Sequence, residues 1–455
     1  MPGLAKSKKN TLLRLTPPQV MALGFTIIIG IGTFLLSLPA AHADGTAASL
    51  LDALFMATSA TCVTGLSVVN FGAHYSLFGQ IVIILLVQIG GLGFMTMATL
   101  IALVFRRRIS YKERLILQQA MNQSSTEGII RLIRKVFLYA LVIELAGATL
   151  FTLRWMFEMP FGQAVYFGIF HSISIFNNAG FDLFGGIPGR AGSLMHYTDD
   201  PFINLVSMAL IILGGIGFIV ISDLLTYRKN KKLTLHSKVV LAASGGLILL
   251  GGTVIFIFEF ANPSTLQPLS MTGKVLASLF QSVTARSAGV VTLDTTMLRQ
   301  ATQFFIIVMM FIGAAPGSSG GGIKVTTFAI LIGAMVAMVR GKEDIVLFRH
   351  RITKERIHKA ITFSLLSFFL IVLATMLLST TENFPFLGIL FEVTSAYATA
   401  GMSMGLTPQL TTFGKTLIIL MMFVGRLGPV TLAFSLTLRP GKELYRYPEG
   451  KITIG

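Results

Sequence analysis

The sequence predicts an all-α membrane protein of four tandem units, each a helix, a short helix and a second helix, around one pseudo-fourfold axis. Three observations carry this expectation. The chain is 53% hydrophobic and 12% charged, about half the charged share of a soluble domain, and its mean hydropathy is +0.77. Apolar runs occupy 18–38, 78–105, 136–157, 202–226, 239–260, 302–339, 360–379 and 415–438, and a span takes about 20 apolar residues. Inside each successive pair of runs, the same short pattern recurs.

That pattern is a phenylalanine followed nine or ten residues later by a glycine: Phe55 to Gly65, Phe170 to Gly180, Phe280 to Gly289 and Phe391 to Gly401. The stretch between them reads as a short helix. Successive glycines are 115, 109 and 112 residues apart. A second glycine cluster follows in each unit, starting at Gly90, Gly214, Gly313 and Gly425. Small residues let membrane helices pack closely, which accounts for one cluster but not for a fourfold order. The units are placed at 1–105, 106–227, 228–339 and 340–455.

The charge fixes an expected orientation. Of 36 Lys and Arg, 28 fall in the segments 6–14, 106–135, 228–238, 340–359 and 439–451. All five lie on one side if each run crosses once. Basic loops stay in the cytoplasm, so both termini are expected there, in a plasma-membrane protein with many passes. The net charge of +17 therefore reads as topology and attraction to anionic lipid, or as a docking surface for a cytosolic partner, and not as nucleic-acid binding. Ala41-His42-Ala43 resembles a signal-peptidase site, but the preceding apolar run is longer than a usual signal core. Cleavage there would also destroy the first unit. The lone Cys62 excludes an internal disulfide and a multi-Cys metal site, and the seven His are scattered. Glu144 and Glu259 read as isolated, so no enzyme is expected.

In this arrangement the short helices are pore helices. Non-helical backbone at membrane depth must be buried in protein or line water. Four such segments on one axis can offer carbonyl oxygens in place of a cation's water shell. Glycine at positive φ lets a carbonyl turn inward, and the partly negative C-terminal ends of the pore helices favour a cation. The candidate selectivity filter is Thr61, Cys62, Val63, Thr64 and Gly65, then Asn177, Asn178, Ala179 and Gly180, then Arg286, Ser287, Ala288 and Gly289, then Ala398, Thr399, Ala400 and Gly401. These segments contain no acid, whereas calcium or magnesium pathways use carboxylates. A monovalent ion is expected at the filter carbonyls, K⁺ rather than Na⁺.

The third unit breaks its inner helix at Gly313, Ala314, Ala315, Pro316, Gly317, Ser318, Ser319, Gly320, Gly321 and Gly322, since proline and so many glycines do not continue a helix. It reads either as a gate under the filter or as a packing kink. A phosphate loop fails, because Ile323 follows Gly322 where lysine is needed, so no nucleotide is expected to bind this chain. Lys324 and Arg426 lie in apolar context, where charge is costly. Arg426 is expected to bond gate-loop carbonyls, to oppose cation passage, or to tie helix ends. Lys324 is expected to snorkel. Arg286 is expected to brace the third filter by donating to its carbonyls. Asn177 and Asn178 brace or line the second, and His171 reads as a packed pore-helix histidine.

Several motifs together resemble the Trk/Ktr/HKT superfamily, and within it the bacterial Ktr potassium-uptake subunits. They are Thr64-Gly65-Leu66, Gln88-Ile-Gly-Gly-Leu-Gly-Phe94, Phe176-Asn-Asn-Ala-Gly-Phe181, Gly214-Gly-Ile-Gly-Phe218, Ala285-Arg-Ser-Ala-Gly289 and Gly425-Arg-Leu-Gly-Pro429. The resemblance runs from Thr16-Pro17-Pro18-Gln19 to the ending at Gly455. It implies potassium uptake through a gated, carbonyl-lined pore like that of a potassium channel. It also implies a homodimer with one pore per protomer, a cytosolic KtrA-type RCK nucleotide-binding ring, and Na⁺ as an activator. Two places depart from the family pattern: Cys62 replaces a small or hydroxyl residue, and Ala398-Thr399-Ala400-Gly401-Met402 replaces Thr-Val-Gly-Leu. An HKT-like transporter permeable to sodium and potassium is one alternative. An alternating-access secondary transporter is another, but its repeats are typically inverted and these all run the same way.

Overall fold

The computed structural model describes residues 16–47, 49–93, 129–190 and 192–428, with a few positions between 96 and 118. The basic segments 6–14 and 439–451, and most of 106–135, lie outside the described residues.

The described helices form four consecutive groups. The first holds α1 (Pro17–Ser37), α2 (Leu50–Thr61), the one-turn α3 (Phe71–His74) and α4 (Leu77–Leu92). The second holds α5 (Ile129–Trp155), α6 (Phe161–Phe176), α7 (Pro201–Gly215) and α8 (Phe218–Asn230). The third holds α9 (Leu235–Glu259), α10 (Met271–Thr284), α11 (Gln300–Phe311) and α12 (Val325–Val339). The fourth holds α13 (Lys354–Thr381), α14 (Phe386–Ala398) and α15 (Thr412–Leu427). A small hairpin, β1 (Val346–Leu347) with β2 (His350–Arg351), precedes α13 and was not expected from sequence.

Local chemistry sets the helix starts. Pro17 and Pro18 open α1, where a missing N–H costs nothing, and the Thr16 N–H donates to Gln19 Oε1 at 2.9 Å. Ser49, Ser76, Ser270 and Thr411 each accept a backbone N–H from three residues on, at 3.0 to 3.3 Å. Such caps satisfy donors that the first turn leaves free. The helices α1, α5, α9 and α13 are long and apolar enough to cross a membrane. Their outer faces expose Phe34, Leu145, Ile257 and Phe368, as lipid-facing helices do.

The helix that follows the short one is broken in the second group as well as in the third, and here the structure corrects the sequence reading, which broke only the third. α4 and α15 end at Gly93 and Gly428, with φ of 83° and 84°. α7 and α8 meet at a bend of 102°, hinged on Gly217 at φ 87°. The left-handed conformation breaks the helical N–H ladder. An apolar run conceals this because the flanking residues stay apolar.

The groups are joined in cyclic order. Asn70 donates to the Gly185 carbonyl at 2.8 Å, Thr198 to Thr292 at 2.7 Å, and Thr295 to Ser403 at 2.9 Å. Lys415 on α15 closes the cycle with an ion pair to Asp52 on α2 at 2.7 Å. One large core runs through all four groups, with Phe55, Phe170, Phe280 and Phe391 buried in it.

Candidate ion pathway

The four phenylalanine–glycine segments share one backbone geometry. Gly65, Gly180, Gly289 and Gly401 have φ of 91°, 74°, 69° and 78°. Two residues before each, Val63, Asn178, Ser287 and Thr399 also have positive φ, at 58°, 59°, 119° and 48°. A non-glycine residue in that region costs roughly 1–3 kcal/mol and persists only where its surroundings hold it. Here the hold is visible. The N–H of Thr64, Ala179, Ala288 and Ala400 donates back to the carbonyl of Ser59, Ser174, Thr284 and Ser395 in the short helix before it, at 2.8 to 3.0 Å.

The segments also meet one another in a closed ring. A Cβ added to Gly65 would overlap the Ala179 carbonyl oxygen, and one added to Gly180 would lie 2.7 Å from the Ala288 oxygen. One added to Gly289 would lie 3.0 Å from the Ala400 oxygen, and one added to Gly401 would overlap the Thr64 oxygen. Each glycine thus abuts the carbonyl preceding the next group's glycine, and the fourth returns to the first. Four backbone oxygens gathered this way can take the place of water around a monovalent cation.

Behind the ring, the ends of α2, α6 and α14 pack on α4, α7 and α15. A Cβ on Gly90, Gly214 or Gly425 would overlap the carbonyl of Thr61, Phe176 or Tyr397. Three of the four ends are also tied to the long helix of their own group. Asn177 donates to Glu144 at 3.0 Å and to Gln88 at 2.8 Å. Arg286 donates to the carbonyl and hydroxyl of Ser244, at 3.3 and 3.1 Å. Tyr397 bonds Ser367. Two sequence readings change here. Arg286 braces α9 rather than filter carbonyls. Glu144 is not isolated, since Gln88 and Asn177 both donate to it, and neither is Glu259, which accepts from Asn262, Thr265 and Thr302.

The 313–324 segment lies directly against the ring. A Cβ on Gly320 would meet Ser287, and one on Gly321 would meet Thr399. The break in the second group holds it from one side: Ala315 and Ser319 donate to Gly215 and Gly214, at 3.0 and 3.4 Å, and Phe218 donates to Gly317 at 3.1 Å. Ser319 is the node. Its carbonyl accepts from Arg426 and its hydroxyl from Asn178, the latter at 3.2 Å. The other Arg426 nitrogen donates to the Gly90 carbonyl. Lys324 does not snorkel; its ammonium folds back onto the Gly320 carbonyl at 2.5 Å. Gly313, Ala314, Pro316, Ser318 and Gly322 complete the loop, with Gly317 and Gly322 at φ 71°. Cys62 is fully buried in the first segment.

Some of this was hidden from sequence. Ser59, Ser174, Thr284 and Ser395 stand four residues after each phenylalanine, so the hydroxyl period was there to be found. Gln88 and the role of Ser319 had no such signal.

The family model for TrkH, a cation transport protein, matches residues 6–444. The chain is 43% identical over 452 residues to the Ktr system potassium uptake protein B of Bacillus subtilis, covering 99% of this chain and 100% of that one. It is 39% identical to the potassium/sodium uptake protein NtpJ of Enterococcus hirae, covering 98% and 99%. The crystal structure of the potassium transporter TrkH from Vibrio parahaemolyticus shares the fold, with a TM-score of 0.73 at 20% identity over 94% of this chain and 86% of that one. On the extent of these matches, the chain belongs to the TrkH/Ktr family of cation transport proteins.

Proposed function

We propose that this chain is the ion-translocating subunit of a Ktr-type potassium uptake system. K⁺ passes down its electrochemical gradient through a filter made by the four glycine segments, then past a gate formed by residues 313–324. In this reading the four groups are helix–pore-helix–helix repeats about one pseudo-fourfold pore. The observation that carries it is the closed ring of Thr64, Ala179, Ala288 and Ala400 carbonyls against Gly401, Gly65, Gly180 and Gly289. The absence of acids from these segments favours a weakly hydrated monovalent ion. The names of the two relatives support potassium as cargo.

The gate reading rests on the loop's contacts. Residues 313–324 lie against the ring at Ser287 and Thr399 and are held to the other groups by bonds from Arg426, from Asn178 and at the α7–α8 break. Two cationic groups, Lys324 and Arg426, stand beside that loop with no acid bonded to either among the described residues. A cation entering there meets repulsion until the loop moves. The biological unit is a homodimer whose cytoplasmic face, rich in Lys and Arg, docks a KtrA-type RCK ring, with both termini in the cytoplasm. Na⁺ acts as an activator.

Potassium-limited growth of a transport-deficient bacterial host tests the reading. Expression should restore growth, more strongly with a KtrA-type partner than without. Uptake of sodium alongside potassium, without preference between them, would favour the HKT-like alternative, and no cation uptake at all would contradict both.

A further inference from the structure

The residue after each buried phenylalanine occupies equivalent places in the four pore helices, but its chemistry differs: Met56, His171, Gln281 and Glu392. All four are buried. Met56, His171 and Glu392 each contact the limb of chain that leaves the glycine. Met56 accepts one weak bond from the Ser67 hydroxyl at 3.4 Å. The Nε2 of His171 accepts the Leu183 N–H at 3.3 Å. Gln281 has no side-chain partner among the described residues. Glu392 accepts four: the Ser403 hydroxyl at 2.5 Å, the Met404 N–H at 2.9 Å, the Leu406 N–H at 3.4 Å and the Thr407 hydroxyl at 2.7 Å.

A second clamp explains why the fourth group needs this one. In the first three, the hydroxyl four residues after phenylalanine donates to the carbonyl just past the glycine. These bonds are Ser59 to Leu66 at 2.7 Å, Ser174 to Phe181 at 2.7 Å and Thr284 to Val290 at 2.5 Å. In the fourth, the equivalent Ser395 hydroxyl is buried without a partner among the described residues. The limb 402–407 therefore lacks the hydroxyl clamp from its own short helix and is held from that helix by Glu392, while Thr295 of the third group donates to its Ser403 carbonyl from the other side. A buried carboxylate with four donors makes charge-assisted bonds, about twice as strong as neutral ones.

We propose that Glu392 is a specificity-determining positioning residue: it holds the 402–407 limb, and through it the Ala400–Gly401 peptide, at the spacing that separates K⁺ from Na⁺. It does not touch the ion. The proposal rests on the pore reading above. It assigns the fourth group's contribution to selectivity to one side chain, and predicts that its counterpart in the third group, Gln281, contributes none.

The test is the K⁺/Na⁺ permeability ratio of the full chain, reconstituted with its KtrA-type partner. Glu392→Met keeps the volume and removes every acceptor. The ratio should fall about tenfold, the scale of a lost charge-assisted hydrogen bond. Glu392→Gln, which keeps one acceptor oxygen, should recover part of that loss. Ser403→Ala with Thr407→Val removes two donors from the opposite side and should lower the ratio several-fold, so the proposal survives as a test even if Glu392→Met does not insert. Gln281→Met should leave the ratio unchanged. A wild-type ratio in an inserted Glu392→Met protein, or in the Ser403/Thr407 double variant, overturns the proposal. So does an equal fall in Gln281→Met, which would mark a general packing effect. A wild-type chain with no K⁺ preference would instead sink the pore reading and the proposal with it.

Discussion

Arg426 concentrates the question of what would hold the proposed gate shut. Its guanidinium bonds the Ser319 carbonyl in the loop and the Gly90 carbonyl at the end of α4. It therefore joins the fourth group to the third and the first. A planar, permanently charged fork suits two separate carbonyls. Arg426→Ala should raise cation flux and lessen its dependence on the cytosolic partner, while the K⁺/Na⁺ ratio stays near wild type. Flux assays in vesicles with and without the partner would decide this, and a loss of flux in inserted protein would mark Arg426 as structural. Sequence singled out Arg426 because a charge in an apolar run is conspicuous. It could not name Gly90 as a partner, since the two lie 336 positions apart.

At the scale of elements, the α11–α12 break does more than end a helix. Its residues bond the α7–α8 break through Gly214, Gly215 and Phe218, so two interrupted helices brace each other. A glycine-rich stretch has little packing surface and opens at small cost. Deleting Ala315–Gly321 should therefore increase flux and reduce its partner dependence, as measured by the same assay. If the deletion abolishes flux in inserted protein, the loop is a packing element. The α7–α8 bend escaped sequence reading because Gly214-Gly-Ile-Gly-Phe218 fits inside an apolar run. Proline betrayed the third break, and the second has none.

The connection after α5 offers a pH test at the same scale. Glu158 bonds Tyr197 at 2.8 Å and pairs with Arg154 and Arg190, at 2.8 and 3.2 Å. Partial burial pushes its carboxyl up, but the bonds from Tyr197 and Arg190 and the nearby positive charges outweigh this and hold it below the usual range. A lowered folded-state value stabilises the protein above the unfolded value of about 4.5 and is lost as pH falls through the folded value. Glu158→Gln should lower stability at pH 7 by roughly 0.5–1 kcal/mol. The difference from wild type should shrink as pH falls below the unfolded value and vanish once it is below the lowered folded value. Thermal unfolding in detergent at several pH values checks both the size and the direction.

For the whole molecule, the central feature is the cyclic closure. Four stretches more than 100 residues apart meet so that each glycine backs onto the next group's carbonyl. The repeat was legible because each of the four glycines sits at positive φ against a neighbouring carbonyl, where a Cβ would crowd it, so a glycine recurs nine or ten residues after phenylalanine in all four units. The left-handed Val63, Asn178, Ser287 and Thr399 were not legible, because their conformation is imposed by the hydrogen bonds behind them and not by residue type. The tie between neighbouring groups, such as Lys415 to Asp52, was equally out of reach, as a pair separated by 363 positions.

If the ring is the filter, all four glycines matter equally for selectivity, whatever the differences around them. Replacing Gly65, Gly180, Gly289 or Gly401 with Ser puts a Cβ against a neighbouring carbonyl at a φ that L residues resist. The deciding measurement is the ratio of K⁺ to Na⁺ uptake into vesicles for the wild type and these four variants, corrected for inserted protein. The account predicts a K⁺-preferring wild type and a reduced ratio in every variant. An unchanged ratio in all four would contradict it.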